Sequence, residues 1–278
     1  MPLNFGLGAK TYEPVTRTVT ADEIVAYAAA TKDANRAYAP GTDQIAPPIF
    51  PVVLGMPLMA AVTLDPELGV DNPLMIVHGE EEIIHHHSIR AGETLVLTPS
   101  LVSVEDKGRS AVFVSRVSAT TSAGEPVNDQ YATIFVRGAG SGAERVASEP
   151  AQVPSRGAQV ASFSSHVDSE MPGRYAQASG DHNPIHLDQS VATAVGLPGV
   201  INHGLGTLAL VIADLVAEAL DADPQKVQRV QARFTDLVLP GSDLQTTVWE
   251  SSVGGFAFET TRPDGTTVIV GEVGVKQP

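Results

Sequence analysis

The chain has 278 residues, 43% hydrophobic and 18% charged, which supplies a packed core of one large domain or two of about 140 residues and excludes a disordered chain. A formal net charge of −15 excludes sequence-independent binding to nucleic acid or to an anionic membrane, both of which need basic surface. The absence of cysteine excludes thiol catalysis, disulfides and thiolate metal sites, and it fits a reducing cytoplasm.

The first ten residues lack a basic segment followed by an apolar run, so no signal peptide is expected. Residues 21–30 read as a helix, and residues 52–62 as a second, strongly apolar one. Strands begin near Met75 and continue through the alternating stretch 110–136, with turns at Gly108 and 122–126. Residues 138–157, rich in Gly, Ser and Pro, read as a linker at mid-chain. Residues 191–195 and 205–220 carry helical character, and the second of these is apolar nearly all round, as a buried helix would be. Four strands follow at 227–234, 243–252, 255–261 and 266–275, with a turn at Pro263-Asp264-Gly265. Neither apolar stretch, 52–62 or 205–220, spans a bilayer, since each is too short or interrupted.

The two halves repeat each other faintly. Tyr27, Ala28, Asp33 and Asn35 align without gaps with Tyr175, Ala176, Asp181 and Asn183. Residues 88–95 resemble 236–244 after one gap, and both halves close on β-rich sequence. A long apolar helix followed by antiparallel strands suggests a sheet wrapped round a central helix, once in each half.

Residues 175–188 carry the chemistry. Asp181 and His186 lie five residues apart around Asn183-Pro184, on a short turn that leads into a helix. A carboxylate and an imidazole so placed can deliver and remove a proton at one face of a small pocket. Gly180 permits a sharp backbone path before Asp181. Pro184 fixes φ where the next helix begins. Asn183 orients the turn or a water.

The whole stretch resembles the signature Y-x-x-x-[ST]-G-D-x-N-P-[LIV]-H-x-D of the (R)-specific enoyl-CoA hydratases of the MaoC-like, hotdog-fold family. That resemblance implies an α+β double hotdog, with a degenerate first hotdog at 1–137, the linker at 138–157, and a second hotdog at 158–278 that carries the motif. It implies reversible hydration of trans-2-enoyl-CoA to (R)-3-hydroxyacyl-CoA, a hydro-lyase reaction of fatty-acid metabolism. Asp181 and His186 would activate a water and share the acid and base roles. The Gly204 N–H, at the start of the apolar helix, would stabilise the thioester enolate. His203 either lines the pocket or caps that helix. Some relatives carry a serine on the central helix where this chain has Ile212, a change of pocket lining. No metal or redox cofactor is implied; coenzyme A or an acyl-carrier protein serves as the substrate's carrier. A homodimer and a cytoplasmic location are expected by the same analogy.

In the first half Tyr38 stands for His186 and Lys32 for Gly180, so that half is expected to be non-catalytic and to hold the acyl chain, with residues 47–62 lining its tunnel. Competing readings share the fold. A 3-hydroxyacyl-ACP dehydratase would show a basic docking rim, for which Lys226, Arg229 and Arg233 are the candidates. A hydratase for a branched, dicarboxylic or steroid-derived acyl-CoA would keep the same motif. A non-catalytic partner subunit would have lost it, and a thioesterase would place an acidic residue on the central helix. The run His85-His86-His87 after Glu80-Glu81-Glu82 reads as a solvated or interface strand and not as a metal site. Asp71-Asn72-Pro73 reads as a loop before a strand.

Overall fold

A computed structural model describes residues 1–143, 156–252 and 254–276. The chain opens with two short strands, β1 (Lys10–Thr11) and β2 (Val15–Thr18), followed by α1 (Ala21–Ala30). Thr20 and Glu23 form a reciprocal capping box that fixes where α1 starts. Next come the apolar α2 (Pro51–Thr63) and strands β3 (Ile76–His85), β4 (Thr94–Asp106), β5 (Ser110–Thr121) and β6 (Pro126–Arg137). The second half runs β7 (Gln159–His166), α3 (Met171–Ser179), α4 (Gln189–Ala194), α5 (Gly204–Ala219), β8 (Val227–Phe234), β9 (Asp243–Glu250), β10 (Phe256–Thr261) and β11 (Thr267–Val275).

All the strands join one antiparallel sheet in the order β1-β4-β5-β6-β3-β8-β11-β10-β9-β7, with β2 also on β4. The order is the same read inward from either end. Each half is a meander whose first long strand, β3 or β8, swings round to the far edge, and those two strands meet at the seam. Glu80–Ile84 pair there with Arg233–Arg229 around Glu82 and Gln231. This is the expected double hotdog, with α2 packed on β4, β5 and β6 and α5 against β7. Ten of the sixteen residues of α5 are buried, which accounts for its lack of a polar face. Among the described residues no helix is long and apolar enough to cross a membrane.

The helices 21–30, 52–62 and 205–220 and the four strands of the second half fall within two residues of where the sequence places them. The short strands β1 and β2, the strand β7 and helix α3 were not read from it. Residues 144–155, most of the expected linker, lie outside the described residues.

The sheet tolerates no side chain at one point near the seam. A Cβ on Gly271 of β11 would lie 2.3 Å from the Gln231 carbonyl oxygen and 2.6 Å from the Phe258 ring. Backbone cannot yield there without breaking the β8–β11 ladder. Gly271→Ala is expected to cost about 1–3 kcal/mol of stability, measured by denaturant unfolding; an unchanged midpoint would show that β11 shifts freely.

Candidate active site

Two loops build the site, one on each side of α4. The first leaves α3 through Gly180, whose φ of +79° is the left-handed conformation that glycine adopts without strain. The backbone N–H of Asp181 donates to Ser179 Oγ at 3.2 Å, and its carboxylate Oδ1 accepts the Asn183 N–H at 3.1 Å. Asn183 Oδ1 in turn accepts the Ile185 N–H at 3.3 Å. The Asn183 side chain therefore orients the turn. Pro184 opens a turn of 3-10 helix, Pro184–His186, that carries His186 into the interior.

The second loop is Asn202-His203-Gly204. Asn202 donates its N–H to the Val238 carbonyl at 2.7 Å and its side-chain amide to Thr207 Oγ1 at 2.9 Å, which ties the loop to α5. His203 occupies the cap position of α5 without capping it. Its Nε2–H donates instead to the Asp181 carbonyl at 3.0 Å, and Nε2 lies 4.0 Å from the Asp181 carboxylate. His203 is thus the link between the loops. The His186 and His203 rings stack at 3.8 Å between centroids and 30°; Tyr175 backs His203 at 4.9 Å, and Tyr27 from the first half backs Tyr175 at 5.9 Å.

Both imidazoles are held neutral. Burial lowers the pKa of His186 against the opposing pull of the Asp181 charge and the Ile201 carbonyl. Burial and the neighbouring His186 bring His203 down to about 4. His186 Nδ1–H donates to the Ile201 carbonyl at 2.9 Å, so its Nε2 is left unprotonated and basic. One potential metal-ligating atom from each of Asp181, His186 and His203 lies within 4.8 Å of the other two. Coordination through His203 would have to break the Nε2 bond to the Asp181 carbonyl or reach its other ring nitrogen, Nδ1, which is buried without a partner.

Gly204 begins α5, and no side chain caps the helix there. Its N–H, at the positive end of α5, lacks an intrahelical acceptor. A Cβ at this position would approach the Phe234 ring to 3.1 Å, so glycine keeps the space between ring and helix open. His78 of β3 packs edge-on against Phe234 at 5.6 Å and binds the buried Glu81 at 2.9 Å.

The first half repeats this geometry with the chemistry removed. Asp33 Oδ1 accepts the Asn35 N–H at 3.1 Å, Asn35 Oδ1 accepts the Ala37 N–H at 3.0 Å, and a 3-10 turn follows at Arg36–Tyr38. Lys32 adopts the left-handed φ of +58° where Gly180 has +79°. Phe50 packs on Tyr27 at 5.7 Å, as His203 packs on Tyr175, and Pro51 stands where Gly204 stands. Imidazole, linking histidine and helix N–H are all replaced. Phe234 was not singled out from the sequence as part of the site; Tyr175 stood in the motif stretch without a role, and Phe50 and Pro51 only within the expected tunnel lining 47–62. The Tyr27–Tyr175 match was the available signal for the tyrosine.

The basic candidates are already paired across the seam or locally: Arg229 with Glu82, Arg233 with Glu80 and Lys226 with Asp221. His85 ends the seam strand and is buried, while His86 binds Asp129 and His87 faces Glu93.

Residues 152–270 match the MaoC-like domain model, and residues 7–130 match a FAS1-like dehydratase domain region. A 3-hydroxyacyl-thioester dehydratase Y of Mycobacterium tuberculosis (strain ATCC 25618 / H37Rv) is 31% identical over 233 residues, 79% of this chain and 76% of that one. A probable enoyl-CoA hydratase 2 of Dictyostelium discoideum is 28% identical over 218 residues, covering 76% and 74%. The crystal structure of a MaoC-like dehydratase from Phytophthora capsici superposes with a TM-score of 0.81 at 23% identity, over 99% of this chain and 98% of that one. With 31% identity over 79% of the chain to a 3-hydroxyacyl-thioester dehydratase and the MaoC-like model matching residues 152–270, the chain belongs to the MaoC-like dehydratase family.

Proposed function

We propose that the protein hydrates trans-2-enoyl-CoA to (R)-3-hydroxyacyl-CoA, and runs the reverse dehydration, at the Asp181–His186 pair. The observation that carries this is the close approach of the Asp181 carboxylate and the His186 imidazole, whose Nδ1–H is held by the Ile201 carbonyl, beside His203, the residue before the uncapped start of α5. In this reading Asp181 and His186 Nε2 hold and deprotonate the water that attacks C3, and the pair returns a proton to C2. The thioester oxygen gains negative charge as the enolate forms. The Gly204 N–H meets that charge, and the α5 dipole adds to it. His203 positions Asp181 through its backbone bond. Hydration and dehydration share one transition state, so metabolite levels set the direction.

Coenzyme A is favoured over an acyl-carrier protein because Lys226, Arg229 and Arg233 are each bound to a carboxylate and offer no free basic rim. The acyl chain would run toward the first half, which has lost its own chemistry. Pro47, Pro48 and Pro51 line a surface cleft away from the dyad, so the buried run Val52–Gly55 of α2 is the part that would face the chain. The compartment is proposed as the cytoplasm, on the absence of cysteine; relatives include enzymes named as peroxisomal.

Asp181→Asn and His186→Ala are each expected to lower kcat/KM on crotonyl-CoA by about 10²–10⁴-fold, followed at the enoyl-thioester absorbance, with the fold intact by circular dichroism. Near-full activity in either variant would end the assignment. Since burial lowers the His186 pKa, its basic form persists into mild acid. The acidic limb of kcat/KM should therefore fall below the 6.5 of an ordinary imidazole; a limb above 6.5 would show that another group titrates. Trans-2-decenoyl-CoA should turn over at least as well as crotonyl-CoA if the first half holds the chain, and a profile confined to four carbons would refute that part.

A further inference from the structure

The first half reaches the start of α5 through one irregularity in a strand. His78 pairs with Ile134 and Glu80 with Thr133, so Gly79 is an extra residue in β3 with no partner on β6. Side chains alternate along a strand, and the unpaired residue returns His78 to the face of Glu81, three positions on. A Cβ on Gly79 would lie 2.4 Å from the Phe135 ring, so the bulge needs glycine. His78 Nε2–H donates to Glu81 Oε2 at 2.9 Å, and Gln130 Nε2–H donates to Glu81 Oε1 at 2.6 Å. Glu81 and Gln130 are both buried, and Gln130 is wedged against α2, where a Cβ on Gly55 would lie 2.1 Å from its Oε1. The His78 ring is therefore anchored by its Nε2, and it packs edge-on against Phe234, whose ring lies against Gly204.

The second half contains the same bulge without the polar groups. Glu82 and Gln231 face each other at the centre of the seam, so residues equally far along the two strands are equivalents. Gln228 is the extra residue in β8, the counterpart of Gly79. Its neighbours Val227 and Val230 are the counterparts of His78 and Glu81, and both are buried. The fold thus accepts an apolar pair at this bulge, and burying a carboxylate there is a cost that folding does not require. The difference between the two pairs follows the chemistry. Val227 lies beside His85 and Pro51, where proline takes the place of Gly204. His78 lies beside Phe234 and Gly204 themselves, in the half that carries Asp181, His186 and His203.

We propose that His78 is a positioning residue: anchored by Glu81, it holds the Phe234 ring in place against Gly204 and so fixes the space in which the Gly204 N–H meets the thioester oxygen. The choice of that oxygen rests on the hydratase reading.

The double variant His78→Val/Glu81→Val copies the second half's pair and should fold, as checked by circular dichroism and denaturant unfolding. Its kcat on crotonyl-CoA should fall by about 10–100-fold, with KM within about twofold of wild type. His78→Gln keeps a donor for Glu81 and removes the ring; it should lose as much, and it serves even if the double variant fails to fold. His78→Phe/Glu81→Val restores a ring against Phe234 and should recover most of the loss. The acidic limb of kcat/KM should stay at its wild-type position in all three, since His186 is untouched; a moved limb would mean that His78 itself exchanges the proton, and the positioning role would fall. In ¹H–¹⁵N spectra the Gly204 amide, close to the Phe234 ring, should shift in His78→Gln and return toward its wild-type position in His78→Phe/Glu81→Val. That readout needs no turnover, so a wild type that failed to hydrate crotonyl-CoA would fault the active-site reading and leave the contact itself tested. Undiminished kcat in His78→Gln, no recovery with phenylalanine, or an unmoved Gly204 amide would overturn the proposal.

Discussion

The pairing of β3 with β8 is the constraint on which the rest depends. Five residues from each strand form an antiparallel ladder centred on Glu82 and Gln231, and every other strand is ordered outward from it. An antiparallel pair of equivalent strands imposes an approximate two-fold axis, so each half must place its helix, its motif turn and its strand end at matching positions. Arg229 and Arg233 reach across the seam to Glu82 and Glu80, with registry that a one-residue slip would break. The same seam brings His78 of one half against Phe234 of the other, so both halves contribute to the rings packed by the start of α5.

On the proposed reading, symmetry of backbone with asymmetry of side chains accounts for one half reacting and the other not. The Asx-type bonds from Asp33 to Asn35 and from Asp181 to Asn183 preserve one turn in both halves. Folding needs that turn. Chemistry needs more, namely a basic nitrogen at its end, a histidine to hold the carboxylate's loop and a free N–H on the central helix. Tyr38, Phe50 and Pro51 occupy those three places in the first half. The surviving Asp33 is half-buried and its carboxyl is pushed up to about 6 by burial, and the turn that follows it ends in Tyr38 where the second half has an imidazole.

Much of this was legible in the sequence where the signal was local. The spacing of Asp181, Asn183, Pro184 and His186 is itself the turn, because the bonds that form it span two residues. The apolar helix 205–220 was legible because burial on most sides leaves no polar stripe. β1, β2 and β7 were not, since short edge strands have little periodicity to read. The tie between His203 and Asp181 spans 22 residues and lies in the tertiary fold, so residue spacing left open whether His203 capped the helix or lined the pocket. The meaning of Phe50 and Pro51 emerged only once α2 and α5 could be compared as equivalents.

The stacked pair His186 and His203 shows how one environment serves two roles. Two protonated imidazoles at 3.8 Å would repel strongly in a buried site, so desolvation and proximity together favour the neutral form of both. With charge removed, the carbonyls decide the tautomers. The Ile201 carbonyl accepts a hydrogen bond from His186 Nδ1–H, and the Asp181 backbone carbonyl accepts one from His203 Nε2–H. The two rings are thereby locked in opposite senses, one left with an unprotonated Nε2 and the other spent on holding the loop. Exchanging the two acceptors would leave the residues unchanged and the base absent, so the position of two backbone oxygens, as much as the identity of the histidines, makes this turn competent for proton transfer.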